Sequence, residues 1–113
     1  MSLDVYLQTA KCPTCAHCEE LYSSNITSNL AEMATALAIY NVVWRPSENG
    51  ISCAEQLVIP LTAAVSELRR DPNKYSKFNA PNGWGTVEHF LNFLERYLEA
   101  CIKYPEAEVL ADC

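Results

Sequence analysis

The chain has 113 residues, half of them apolar, and its 14 acidic and 8 basic residues leave a net charge of −6. This length and composition predict one compact domain, residues 1–113, and not a disordered chain. Basic residues nowhere cluster beyond the pair Arg69-Arg70. That distribution argues against binding of a nucleic-acid polymer, which needs clustered cations, and against an anionic membrane surface.

The sequence also predicts where the protein resides. No stretch approaches 18 apolar residues, so we expect no membrane span. The first residues include Asp4 and no basic leader, so we expect no signal peptide and a cytoplasmic location. Thiols stay reduced there, and the six cysteines are therefore considered first as thiols or metal ligands.

Two strands are predicted at the start of the chain. Residues 3–8 alternate, with Leu3, Val5 and Leu7 on one face and polar or amphipathic side chains on the other. This alternation is typical of a half-buried strand. Residues 19–26 are predicted as a second strand, joined to the first by a cysteine-rich loop.

The first helix is predicted to begin near Thr27–Asn29 and to end near Asn41–Val43. Apolar residues recur there at helical spacing. Asn29 and Glu32 have the spacing of a capping box.

A second helix is predicted to begin at a capping box of Ser52 and Glu55 and to end at Asp71-Pro72. Pro60 lies inside it and should kink or split it. Asp71 is then expected to cap a short further turn that begins at Pro72.

The last helix has the strongest pattern in the sequence. Thr86 is its predicted cap, and Tyr104-Pro105 should end it. Its predicted apolar face consists of Val87, Phe90, Leu91, Leu94, Tyr97, Leu98 and Cys101. Residues 107–112 have strand character and could join the first two strands.

The predicted fold class is therefore α+β, with element order β-β-α-α-α-β. About three main helices should pack on one face of a small, mostly antiparallel sheet. Helix should outweigh strand.

The cysteine-rich loop allows three interpretations. Cys12, Cys15 and Cys18 have C-x-x-C-x-x-C spacing, but a structural zinc site needs four ligands and no second pair is present. An exposed loop without metal, a zinc site and a redox site all remain open. We therefore expect no cofactor unless the loop binds zinc, and Cys53 and Cys101 are predicted core thiols.

Nothing in the sequence favours an enzyme. The chain has two histidines, His17 and His89, and no nucleophile motif or phosphate-binding glycine loop. We therefore expect no catalytic residues.

Two segments rich in hydrogen-bond donors, residues 23–29 and 79–86, each precede a predicted helix. The first turn of a helix has free backbone N–H groups and a partial positive charge, which suit an anion. The two tryptophans could stack on a ring of the ligand. The candidate ligand-binding residues are Asn25, Thr27, Asn29, Trp44, Arg45, Asn79, Asn82, Gly83, Trp84 and Thr86. The alternatives are simple helix caps, an ordinary Asn-Gly turn and tryptophans that anchor the core.

Several segments together resemble a family of short proteins found in bacteria and their phages. They are MSLDVYL, NITSNL, WRP, FN, NGWGT and YLEAC, and they span nearly the whole chain. Members of this family often have His where this chain has Ser28, which argues against a functional imidazole there. Many have one C-P-x-C pair or none, which implies that metal is not essential to the fold.

A phage setting, which the resemblance implies, is typical of counter-defence proteins that act in the host cytoplasm. Some such proteins sequester a nucleotide signal, and others block a host protein. The leading hypothesis is therefore a non-enzymatic binder of a small anionic, nucleotide-like ligand, and a homo-oligomer is compatible with so small a chain. The alternatives are an acidic protein-interaction module that inhibits a host factor, and a small zinc-bearing module.

Overall fold

Strands from both ends of the chain form one antiparallel sheet in the computed structural model, which describes residues 2–9, 20–27, 30–78 and 85–112. Strand β1 (Ser2–Gln8) is central. Strand β2 (Glu20–Thr27) pairs with one side of it, and strand β3 (Glu108–Asp112) with the other. The sheet order is therefore β2-β1-β3, and both predicted N-terminal strands and the predicted C-terminal strand are confirmed.

The two faces of the sheet differ as the alternation predicts. Leu3, Val5 and Leu7 are fully buried on the inner face. Ile26 pairs with Leu3 in register, and Val109 with Leu7, and both are buried too. Because successive side chains of a strand point to opposite faces, Asp4, Tyr6 and Gln8 lie on the outer face.

Within the described residues, five helices lie between β2 and β3 in sequence, and they confirm the α+β class with two strands first and one strand last. They are α1 (Ala31–Ala36), α2 (Tyr40–Trp44), α3 (Glu55–Arg70), α4 (Pro72–Tyr75) and α5 (Val87–Lys103). Short 3-10 turns occupy Pro46–Asn49 and Ser76–Phe78. Among the described helices, none is both long and apolar enough to cross a membrane.

The prediction of one helix from Thr27–Asn29 to Asn41–Val43 is wrong. Strand β2 continues to Thr27, and the helical region is divided between α1 and α2. Ala38 has a left-handed backbone, with φ of 61°. Its N–H donates to the Thr35 carbonyl, and the N–H of Ile39 donates to the Ala34 carbonyl, both at 3.0 Å. These two bonds form a Schellman motif, which ends α1.

The predicted capping box of Ser52 and Glu55 is also wrong. Helix α3 begins after Ala54 without a side-chain cap. Gln56 instead folds back, and its Oε1 accepts from the backbone N–H groups of Ser52 at 2.7 Å and Cys53 at 3.1 Å. The N–H groups of Ala54 and Glu55 donate to carbonyls of residues 107 and 105, each at 2.9 Å. Tertiary contacts thus replace the cap that the local sequence predicts.

Helix α3 is not split at Pro60. It runs as one element of 16 residues through that position. Proline removes one backbone donor, but burial of the apolar face of α3 supports the helix on both sides. That face consists of Leu57, Leu61, Ala64, Val65 and Leu68.

Two other caps are confirmed. Asp71 Oδ1 accepts from the Lys74 N–H at 3.2 Å and begins α4, whose Tyr75 is buried. Thr86 Oγ1 accepts from the His89 N–H at 3.2 Å and begins α5. Helix α5 ends at Lys103, directly before the predicted stop at Tyr104-Pro105.

The left-handed Ala38 gives a test of the helix break. We expect Ala38→Gly to raise the free energy of unfolding by about 1 kcal/mol, because glycine adopts this conformation without steric cost. Ala36→Gly, in the last turn of α1, is the control and should lower it by about 1 kcal/mol. Urea denaturation measures both, and equal losses would contradict the Schellman motif.

Candidate functional site

A polar stripe runs along α5 beside its buried face. His89, Asn92, Arg96, Glu99 and Lys103 follow one another at steps of three, four, three and four residues. This spacing places them on one side of the helix. The buried face of α5 packs on the sheet and on α3. The stripe therefore lies where α5 meets strand β2, and it forms one wall of a groove.

The upper part of this groove is a hollow of about 190 Å³. Its walls come from the end of β2 and the first half of α5. The lining residues are Ser24, Asn25, Ile26, His89, Asn92, Phe93 and Arg96. None of them carries a carboxylate, whereas the chain as a whole has a net charge of −6. The hollow is thus a locally cationic and hydrogen-bonding site on an acidic protein.

Two further hollows continue the groove along β2. The middle one, of about 280 Å³, shares Arg96 with the upper hollow and includes Tyr22 and Glu99. The lower one, of about 400 Å³, shares Leu21, Lys103 and Tyr104 with the middle hollow. We call the three together the β2–α5 groove. Because neighbouring hollows share lining residues, they adjoin one another along β2.

Arg96 differs from the other described arginines in its partners. Arg45 pairs with Glu48 at 3.0 Å, Arg69 with Glu95 at 3.2 Å, and Arg70 with Glu67. Within the described part of the chain, Arg96 has no carboxylate partner. Its charge instead lies near Tyr22. Burial raises the pKa of the Tyr22 hydroxyl, and the Ser24 side chain and Arg96 oppose that rise.

Two tyrosine rings lie behind the middle hollow. Tyr22 stacks on Tyr97 with ring centroids 6.0 Å apart. Among the described residues, neither hydroxyl has a hydrogen-bond partner of normal geometry, and both oxygens are buried. Burial, with smaller contributions from Cys101 and Tyr22, raises the pKa of Tyr97 far above its usual value of 10.0. The groove is therefore backed by an apolar wall in which two tyrosine hydroxyls lack a hydrogen-bond partner of normal geometry among the described residues.

The predicted donor segments meet in space, but not as two helix starts. A Cβ placed on Gly85, whose φ is +112°, would lie 2.9 Å from Cγ2 of Thr27 and within 3.3 Å of Leu30. Asn25 and Thr27 belong to β2 and not to the predicted helix start, and residues 28 and 29 lie outside the described residues. Thr86 begins α5, but its hydroxyl already accepts one first-turn N–H that a bound anion would need.

Asn25 lines the upper hollow, and its Nδ2 donates to Asp4 Oδ1 at 2.6 Å. Its amide is thus engaged on the outer face of the sheet. Five other predicted ligand residues lie outside the described residues: Asn29, Asn79, Asn82, Gly83 and Trp84.

Trp44 and Arg45 lie at a different place from the β2–α5 groove. Trp44 is 4% exposed and packs in the core, with its ring centroid 5.4 Å from that of Tyr40 and 6.3 Å from that of Phe90. Little of its ring is left for a ligand to stack on. The exposed Arg45 borders a hollow of about 270 Å³ between the Pro46–Asn49 turn and β3, but Glu48 pairs with its guanidinium.

The predicted metal ligands Cys12, Cys15 and Cys18 also lie outside the described residues. Within the residues that the structure describes, no three His, Cys, Asp or Glu side chains come together to hold a metal ion. Cys101 is buried, as predicted, whereas Cys53 is half-buried and forms an isolated bridge to Glu108 just before α3.

Sequence reasoning missed His89, Asn92 and Arg96 as site residues. Their signal is the regular spacing of the polar stripe, but a polar stripe on an amphipathic helix is most often solvated. The decisive information is that β2 lies at the sheet edge beside this stripe, and that depends on the strand order.

Comparison with protein-family models, with curated proteins and with solved structures finds no match for the chain. The functional argument therefore rests on the residues and geometry of the groove.

The unpaired Tyr97 hydroxyl leads to a stability prediction. We expect Tyr97→Phe to leave the free energy of unfolding unchanged or to raise it by about 1 kcal/mol, because a buried unpaired hydroxyl is removed. Tyr75→Phe is the matched control. It loses the bond that the Tyr75 hydroxyl donates to Glu67 at 3.1 Å, and stability should fall by about 1 kcal/mol.

The same pair of variants can be compared across pH by urea denaturation. The raised pKa of Tyr97 contributes stability that is complete below pH 10.0, its unfolded value, and is lost as the pH rises above it. Tyr97→Phe should reduce this alkaline loss. A loss of stability in Tyr97→Phe at neutral pH, as large as that in Tyr75→Phe, would contradict the unpaired hydroxyl.

Proposed function

We propose that this chain is a non-enzymatic binding protein that holds an anionic ligand in the β2–α5 groove, with Arg96 paired to the anion. The observation that carries this proposal is the state of Arg96. It is the one arginine among the described residues without a carboxylate partner, and it lines a hollow free of carboxylates on an acidic protein. A planar guanidinium with five donors suits a carboxylate or phosphate group.

The residues around Arg96 support an anion in the same place. His89 and Asn92 precede it by two turns and one turn on the same side of α5 and can donate from their side chains. Ser24 adds a hydroxyl from β2. Together they offer several donors to one anionic group.

The size of the upper hollow bears on the ligand. Its volume of about 190 Å³ is smaller than the roughly 300–1,000 Å³ of ordinary small-molecule sites. A single phosphate or carboxylate fits it, and the rest of a larger ligand would extend into the middle hollow beside Tyr22 and Tyr104. A nucleotide-like ligand is one member of this class. A counter-defence role stays a prediction that rests on the resemblance to phage proteins.

Binding without turnover is supported by the thiol behind the groove. Cys101 is fully buried, and burial raises its pKa to about 12. The thiol therefore stays protonated at neutral pH and is a poor nucleophile.

Calorimetry with the full chain tests the proposal. The ligands are inorganic phosphate, a panel of linear and cyclic nucleotides, and citrate. We expect at least one to bind at millimolar concentration or below, and Arg96→Gln to weaken that binding about 10-fold or more, the usual effect of losing a charged hydrogen bond.

Arg69→Gln is the matched control for this experiment. It removes an equal charge, which pairs with Glu95 of α5 away from the groove, and should leave affinity unchanged. Binding should also weaken as salt is raised. Equal losses in both variants, or no binding of any anion, would overturn the proposal.

A further inference from the structure

We infer that the anionic ligand of the β2–α5 groove is an extended acidic peptide segment that adds to the sheet beside β2 as a fourth strand. This inference rests on the proposed function, since both place an anion at Arg96. It goes further because it names the class of partner, a protein segment, and the way in which the partner is held.

The edge position of β2 is the first support. Strand β2 pairs with β1 on one side, and within the described residues no strand pairs with its other side. An exposed edge presents a row of backbone donors and acceptors that an extended peptide can pair with. The β2–α5 groove runs along this same edge, so a peptide paired with β2 would lie under the polar stripe of α5.

The length of the groove is the second support. From His89 to Lys103 the stripe covers four turns of α5, roughly 21 Å at 1.5 Å per residue. That length matches about six residues of extended chain at 3.3 Å each. A single small anion would fill one hollow only, whereas an extended segment would occupy all three.

The order of charges along the groove predicts the pattern of acidic and apolar residues in the partner. Arg96 and Lys103 line the middle hollow, and neither has a carboxylate partner among the described residues; the Lys103 ammonium lies 5.3 Å from the centroid of the Tyr104 ring. Glu99 stands between them on the stripe, where the groove also includes Tyr22 and Ala100, and Glu106 lines the lower hollow beyond Lys103. In a strand, every second side chain faces the same way. The partner should therefore have two acidic residues four positions apart, with an apolar residue midway.

The distances are compatible with this pattern. Arg96 and Lys103 are about 10 Å apart along the helix axis, and two residues four positions apart in a strand are about 13 Å apart. The long side chains of arginine and lysine can cover the difference.

A fluorescent eight-residue peptide, with glutamate at its third and seventh positions, valine at the fifth and threonine elsewhere, tests the inference. We expect saturable binding by anisotropy, weakened about 10-fold or more when both glutamates become glutamine. We also expect about 10-fold weaker binding when alternate backbone nitrogens on the strand-pairing side are methylated, since that blocks pairing without changing charge. Amide hydrogen exchange of β2 should slow on binding.

The outcomes separate this inference from the proposed function. Binding of phosphate or a nucleotide through Arg96, without binding of the peptide, overturns the inference and leaves the proposed function standing. Equal binding of the methylated peptide overturns strand addition. If the β2 amides of the free protein become more protected from exchange as the protein concentration rises, the edge pairs with a second copy of this chain. That result would also overturn the inference. If no anion binds, the peptide included, the proposed function and the inference are both overturned.

Discussion

The burial of one face of α5 is the interaction on which the rest of the structure depends. Phe90, Phe93 and Tyr97 form a continuous row of rings on this face, with successive centroids 6.3 and 5.8 Å apart. Trp44 packs on one end of the row and Tyr22 on the other. The row links α2, α5 and the sheet edge, so the rotation of α5 about its axis is fixed by apolar contacts over most of its length. A fixed rotation also fixes where the polar stripe lies.

The groove is a consequence of that rotation. If the buried face of α5 must meet α3 and the inner face of the sheet, the neighbouring stripe has to lie beside the sheet edge. Strand β2 is that edge because β3 returns to the other side of β1. The stripe and the edge together place cationic side chains next to the side of β2 with which no described strand pairs. Each feature is common alone, and their combination on one groove is what favours an extended anionic ligand.

The parts of the fold with clear periodicity could be predicted from sequence. The alternation of Leu3, Val5 and Leu7 and the apolar face of α5 each define one element, and both elements are confirmed. The buried face of α5 includes Phe93 and Ala100, whereas the predicted Leu91 and Leu98 are half-buried at its border. The break at Ala38 could not be predicted, because alanine is a strong helix former and its left-handed backbone is stabilised by two Schellman bonds. The start of α3 depends on carbonyls of residues 105 and 107, which are distant in sequence.

The site is harder to predict than the fold, because it too depends on contacts between residues that are distant in sequence. Residues with turn and cap chemistry, such as Asn25 and Thr86, are predicted ligand-binding residues because their side chains suit anion binding. The structure engages both, in a bond to Asp4 and in a helix cap. Arg96 looked like one charge on a solvated helix face. Its importance comes from having no partner where the other described arginines have one, and that is a property of the folded chain.

Side-chain NMR of arginine tests the central claim, that Arg96 receives an anion, most directly. The Nε–Hε resonances of the arginines would be followed as the full chain is titrated with inorganic phosphate at low salt. The account predicts a saturable shift of the Arg96 resonance, while the resonances of Arg45, Arg69 and Arg70, which pair with carboxylates, stay in place. An Arg96 resonance that does not move, or four resonances that move together, would contradict it.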